Sequence, residues 1–385
     1  MELEPAVELV VEPKPDVEMV IAVQPRLTKE DVDQSLEEVM ESYSAIAVSV
    51  AAIEAGQVTQ SGAWGWAVKD QREMTPDTKL RVASLSKVAV GMCAMAMAED
   101  GYVDLDAPLS DYWGGGVENP YTKAQPSVRT LMSHSSSMKS LDIMYGLSKI
   151  RGLLQSGSTW RSVEPGDGGY WYYNNFGFCV LGTTLELAWD GLLDDYFQER
   201  FVQPLDIRAT FCRGKLEEEE LASLYSTGGL QSSAAEQAGE QVPQKIGEGA
   251  SYYPGGLTIS AVDMAKLVSI LAGDGVCDEQ RYLEVETVAA METPQFRVEL
   301  ADTVPFDQCL VLRRQEDVFG QEVLCYHTGS AYGVFSLLSY NPETGDGVVV
   351  LTTGTKRHTE EHDLYALCAD LSAALYERMK GVQGA

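Results

Sequence analysis

Strand-like runs come in pairs at the two ends of this 385-residue chain, with mostly helical patterning between them. Near the front, "AIAVSVAAI" and "VTQSGAWGWAV" are separated by Glu54, Ala55, Gly56 and Gln57, which predicts an antiparallel hairpin. Near the back, "SAYGVFSLLSY" and "GVVVLTTG" flank the turn-rich "NPETGDG" and predict a second. A helix is expected outside each hairpin. Thr28 with Asp31 makes a capping-box start, after which Val32, Leu36, Met40 and Tyr43 recur at helical spacing. At the other end Leu364, Leu367, Cys368, Leu371 and Leu375 share one face of a terminal helix. These pieces imply an α/β fold, an antiparallel sheet flanked by helices from both chain ends. The sheet part is expected at about 28–105 and 296–380, with a mainly helical insert at about 106–295. Within the insert, "FGFCVLGTTLELAW" reads as a helix. So does "SAVDMAKLVSILAGDG", opened by Ser260 with Asp263 and closed by Gly273. The crevice between sheet and insert is the expected binding place.

An apolar content of 45% is enough for a large core, and 58 acidic against 28 basic side chains leave a net charge of −30. That charge repels nucleic acid and anionic membrane surfaces, so neither is an expected partner. The apolar run Val88–Ala98 is too short to span a bilayer and is read as a buried core helix. Residues 1–27 are acidic and contain several prolines but no basic leader-like start. They suit a linker that tethers the domain, to the cell envelope for instance, or the remnant of a removed leader. The seven cysteines show no metal-ligand spacing. Cys277 and Cys309, in "GDGVCDEQ" and "PFDQCLVL", are candidates for a disulfide if the protein is exported.

Three segments carry candidate chemistry. In "RVASLSKVAV", Ser84 lies one helical turn ahead of Lys87. A serine hydroxyl needs a base within reach, and a lysine can be that base only when neutral. The apolar neighbours Val82, Ala83, Leu85, Val88, Ala89 and Val90 would supply the necessary desolvation. Unpaired N–H groups at a helix start also suit a developing oxyanion. A second Ser-x-x-Lys, Ser136 with Lys139, lies in a serine-rich loop with no apolar helix behind it and is read as structural. In "YWYYNNFGFCVLG", a tyrosine could relay a proton and an asparagine could hold an amide. In "YHTGSAYG", His327, Thr328 and Gly329 start a predicted strand whose edge a substrate backbone could join.

Together these segments resemble the serine β-lactamase and penicillin-binding-protein superfamily, with its S-x-x-K, Y-x-N and K-T-G-like signature in that order. Further stretches, "TPDTKLRVASLSK", "DGYVDLDAPLSDYW", "VRTLMSHSSSM", "PGGLTISAVDMAKL" and "YNPETGDGVVVLTTG", resemble its class C, esterase and D-aminopeptidase-like branch, covering about residues 33–380. The resemblance implies a β-lactamase/transpeptidase-like fold and acyl transfer without metal or cofactor. Ser84 would be acylated, with Lys87 and Tyr173 sharing general-base and general-acid work. "YYNN" holds two overlapping Y-x-N readings, and "FGFCVLG" aligns with the family only if Tyr173 and Asn175 are the pair. Asn175, His327, Thr328 and Gly329 would bind substrate, a peptide or small molecule. The backbone N–H groups of Ser84 and Ser330 would form the oxyanion hole. The family works mostly outside the cytoplasm, which implies an extracytoplasmic location. Two departures stand out. His327 replaces the usual lysine, which argues against efficient antibiotic hydrolysis, and "H-T-S-G" appears as His134-Ser-Ser-Ser137.

Two rival readings remain. "HTEEH" fits H-x-x-E-H with His358 and His362, but it also suits the solvated first turn of a helix, with Glu360 and Glu361 favoured by the dipole. A domain that acylates or binds ligand without turnover is the non-enzyme alternative. An α/β-hydrolase is disfavoured because no G-x-S-x-G elbow occurs.

Overall fold

The computed structural model describes residues 36, 38–142, 146–300, 304–356 and 364–383. The expected capping box at Thr28 and Asp31, the following Val32 and the 1–27 segment lie outside these, as do His358 and His362.

Among the described residues nine strands form the main sheet: β1 (Ala47–Glu54), β2 (Gln57–Val68), β3 (Arg72–Glu73), β4 (Phe296–Val298), β5 (Phe306–Gln308), β6 (Arg313–Val318), β7 (Gln321–Ala331), β8 (Val334–Tyr340) and β9 (Gly347–Thr353). Their spatial order is β4-β5-β6-β7-β8-β9-β1-β2-β3. The two expected hairpins are β1–β2 and β8–β9, and they meet in the middle of the sheet. β1 pairs antiparallel with β9 from Ala47↔Thr353 to Ile53↔Gly347. The β1–β2 turn places Ala55 and Gly56 at φ 49° and 76°, a pair of left-handed residues whose twist suits a two-residue hairpin.

The back of the chain differs from the sequence expectation in one respect. "SAYGVFSLLSY" is not a single strand, because Tyr332 and Gly333, at φ 56° and 77°, turn the chain between β7 and β8. Apolar and aromatic residues on both sides hid this turn.

Alternation along β1 assigns its two faces. Ala47, Ala51 and Ile53 enter one core cluster, and Val48, Val50 and Ala52 the other. The second cluster is covered by Leu36 and by the terminal helix, whose Leu367, Cys368, Leu371 and Leu375 are buried as its spacing predicts. The first cluster is larger. It takes in helix α1 (Ser86–Glu99), helix α2 (Val128–Met132), helix α3 (Asn175–Trp189) and helix α4 (Ala261–Ala272). In α1 every side chain from Ser86 to Met97 is buried, so the apolar run is a core helix. Ser260 caps α4, its hydroxyl accepting from Asp263 N at 3.1 Å, and Gly273 follows the last turn. Among the described residues no single helix is long and apolar enough to cross a membrane.

The proposed Cys277–Cys309 disulfide is absent, and both thiols are free and buried. Their polar sequence neighbours misled the reading. Both side chains turn into the apolar core, where Cys309 Sγ donates to Glu292 O at 3.0 Å.

Helix α3 meets the segment around Tyr253 at Gly182. A Cβ there would lie 2.0 Å from the Tyr253 ring, whose hydroxyl hydrogen-bonds the buried Glu186 carboxyl. Gly182→Ala should therefore displace Tyr253 and lower stability by about 1–3 kcal/mol. Chemical denaturation would report the loss as a reduced midpoint at unchanged slope, and an unchanged midpoint would refute the steric reading.

Candidate active site

Ser84 sits in a single 3₁₀ turn, Ala83–Leu85, that leads directly into α1. The turn is held from several directions. Ala83 adopts φ 50°, a left-handed conformation that a non-glycine residue keeps only when its surroundings impose it. Ser86 Oγ donates to Ala83 O at 2.6 Å and accepts from Leu257 N at 2.9 Å. Val82 N donates to Leu257 O at 2.9 Å, and Ser336 Oγ, from β8, donates to Val82 O at 2.8 Å. The result is a half-buried Ser84 on a fixed backbone.

Lys87 is fully buried, and its Nζ lies 3.0 Å from Ser84 Oγ. The same Nζ donates to Pro254 O at 2.6 Å. Burial lowers the amine's pKa to about 7, with only a small opposing influence from Cys179. Burial thus makes the uncharged amine accessible near neutrality. The sequence expectation of a desolvated lysine beside the serine therefore matches the geometry. The other Ser-x-x-Lys differs: Ser136 is buried in its loop while Lys139 is exposed.

The structure separates the two overlapping Tyr-x-Asn readings. The Tyr173 ring lies 4.8 Å from Lys87 Nζ, with Ser84 close enough to its hydroxyl to oppose part of the effect of burial. Burial raises the phenol's pKa, so Tyr173 stays protonated. Tyr172 is instead exposed beneath the Arg161 guanidinium, at 3.9 Å. Asn174 is buried and structural. Its side chain caps α3 by accepting from Gly177 N at 3.0 Å and donates to Met138 O at 3.0 Å. Asn175 opens α3 half-buried, its amide outside that capping network.

Strand β7 forms the opposite wall. Its Gly329 is packed so closely that an added Cβ would lie 2.2 Å from Ser336 Oγ, 2.7 Å from Val82 O and 3.1 Å from Ser84 N. Glycine is needed here for backbone approach, which brings the strand edge alongside the Ser84 amide. Thr328 is half-buried, and Ser330, the next residue along, is exposed. His327 is buried 6.2 Å from the Tyr173 ring, with Nδ1 2.7 Å from Thr328 O. Burial, then Lys87 and Arg313, push its pKa down to about 3, so the imidazole is neutral at physiological pH.

Two neighbours were given no role by sequence reasoning. The His134 ring lies 4.4 Å from that of Tyr173, tilted by 40°, and accepts from Asn174 N at Nδ1, at 3.2 Å. Pro254 supplies the carbonyl that Lys87 meets. "MSHSSSM" and "PGGL" were visible as motifs, but a backbone carbonyl's role has no sequence signal. A groove of ≈ 780 Å³ elsewhere, lined by Leu147, Lys149, Asp190 and Gln244 among others, contains none of these groups. Among the described residues no cluster of His, Cys, Asp or Glu could hold a metal ion.

A long antiparallel sheet with a helical insert, and a serine-lysine-tyrosine cluster where they join, define the β-lactamase/transpeptidase-like class of proteins. Residues 32–371 match the Beta-lactamase family, and the chain belongs to it. Its fold is similar to a class C β-lactamase from Rhodobacter sphaeroides, with TM-score 0.67, 21% identity and coverage of 91% of this chain and 99% of that one. It is also similar to a D-amino acid amidase from Ochrobactrum anthropi, with TM-score 0.70, 19% identity and coverage of 92% and 99%. The octameric penicillin-binding protein homologue from Pyrococcus abyssi gives TM-score 0.69, 21% identity and coverage of 91% and 77%. No curated protein matches the sequence significantly.

If Lys87 must be neutral to accept a proton, acylation of Ser84 should rise about tenfold per pH unit below 7 and level off above it. Lys87→Arg, which cannot deprotonate, should lose about 10²–10⁴-fold. Stopped-flow acylation rates between pH 5 and 9 measure both. A profile flat through pH 7 would rule out the lysine as base.

Proposed function

We propose that this protein is a serine hydrolase that cleaves an amide or ester through an acyl-enzyme on Ser84. The observation that carries the reading is the 3.0 Å approach of a fully buried Lys87 amine to the Ser84 hydroxyl. The neutral amine takes the Ser84 proton as Oγ bonds to the substrate carbonyl carbon. Tyr173 is kept protonated by burial and lies beside Lys87 and Ser84, so it is suited to donating its proton to the leaving nitrogen or oxygen as the scissile bond breaks. Lys87 can then reprotonate Tyr173; water next attacks the acyl carbon, giving its proton to the again neutral Lys87, which passes one to Ser84 Oγ as the acyl–oxygen bond breaks and the acid leaves. The amides of Ser84 and Ser330 suit the oxyanion, and the half-buried Asn175 suits a substrate amide. Thr328 and Gly329 offer a strand edge for substrate backbone, beside the uncharged His327.

Intact-protein mass spectrometry after exposure to a fluorophosphonate, a penicillin and an activated ester tests the reading. One adduct per chain is expected from at least the fluorophosphonate and the ester, located on Ser84 and absent from Ser84→Ala. Steady-state ester turnover should follow, and it separates a hydrolase from a domain that only acylates. No adduct with any probe would defeat the proposal.

A further inference from the structure

Arg81 is a buried arginine three residues before Ser84 with no part in the chemistry described above. It ends the short strand Leu80–Arg81, which pairs with Thr258–Ile259. Two contacts define its position. Nε donates to Gly255 O at 2.7 Å, and the guanidinium carbon lies 3.8 Å over the Tyr332 ring. Gly255 directly follows Pro254, whose carbonyl receives Lys87. Tyr332 is two residues beyond Ser330, in the tight turn between β7 and β8. One planar cation therefore touches the segment that receives the general base and the segment that presents the strand edge. It does so from the base of the nucleophile's own turn.

Stability alone does not explain a charge at this place. Burial and the nearby Arg213 pull the Arg81 guanidinium down to about 10. Its direct partners are a carbonyl and an aromatic face rather than a carboxylate. A buried charge in such surroundings is commonly replaced by an apolar side chain of similar volume without loss of stability. What an apolar residue cannot reproduce is the combined hydrogen bond and ring stacking that fix two separate backbone turns at once.

We propose that Arg81 is a positioning residue, clamping the Pro254–Gly255 turn and the Tyr332 turn to the nucleophile so that base, hydroxyl and oxyanion amides stay in register. The clamp rests on the hydrolase reading, since what it aligns is that machinery. Tyr332, nearly half exposed, is its outer jaw and can be truncated without opening the core.

The test is a double-mutant cycle of Arg81→Met, Tyr332→Ala and the double variant, assayed for 4-nitrophenyl acetate hydrolysis and for fluorophosphonate labelling of Ser84. Each single change should lower kcat about ten- to hundredfold with KM little altered, because misplacement by about 1 Å costs that much. The double variant should be no slower than the worse single, since both remove one clamp. Melting temperature should hold or rise in Arg81→Met. Wild-type kcat in Tyr332→Ala, or losses that multiply in the double variant, would overturn the clamp. Should wild-type Ser84 itself resist labelling, the acyl-transfer reading fails and the clamp falls with it. If wild type and both single variants label at equal rates, only the clamp fails.

Discussion

A lysine with no solvent exposure, one turn from a serine, is the constraint around which the rest of this structure is arranged. Burying an ammonium costs on the order of several kcal/mol, and the cheapest escape is loss of its proton. That escape requires a dry wall on every side, so the helix bearing Lys87 must be a core helix. It is: α1 is buried over nearly its whole length, and Phe178 and Tyr173 of the helical insert close over the amine. The Pro254 carbonyl satisfies one N–H without bringing a negative charge that would hold the proton in place. A carboxylate there would have favoured the charged ammonium instead.

The architecture follows from bringing the two chain ends together. β1 from the front and β9 from the back are neighbours in mid-sheet, so β7 and β8 are carried to the side where the Ser84 turn emerges. Contact there is intimate. Ser336 of β8 holds the Val82 carbonyl, and Gly329 of β7 leaves no room for a side chain against the Ser84 amide. The strain at Ala83 is sustained by this surrounding set of hydrogen bonds. The insert supplies the other half, with α3 beginning immediately after Tyr173 and its Asn174 cap fixing the approach of the phenol. Sheet and insert each contribute side chains to the one cluster around Ser84.

Much of this was legible from residues alone, for identifiable reasons. Both hairpins were readable because apolar strand-like runs flanking turn residues are local signals, and α1 and α3 because long, nearly unbroken apolar runs are too. Ser84–Lys87 could be preferred over Ser136–Lys139 since only the first pair has apolar neighbours on both sides, and the exposed Lys139 bears out that logic. Elsewhere local signals misled. Tyr332–Gly333 was read as strand interior because its flanks are apolar, and Cys277 and Cys309 were read as loop residues because their neighbours are polar. Neither error concerns composition. Each concerns which way a backbone or side chain turns, and that is set by segments distant along the chain.

By itself, then, the sequence determined the inventory: which segments are helix or strand, and which serine has a lysine one turn away on an apolar helix. These are properties of residues within a few positions of each other, and short-range sterics and burial preference suffice to encode them. Only the tertiary structure decided that Tyr172 turns out to solvent under Arg161, that a proline carbonyl meets the amine, and that burial drives the His327 pKa well below the usual imidazole value. Protonation and hydrogen-bond partnership depend on the dielectric and the groups within a few ångströms. Those surroundings exist only once residues more than a hundred positions apart have been packed together.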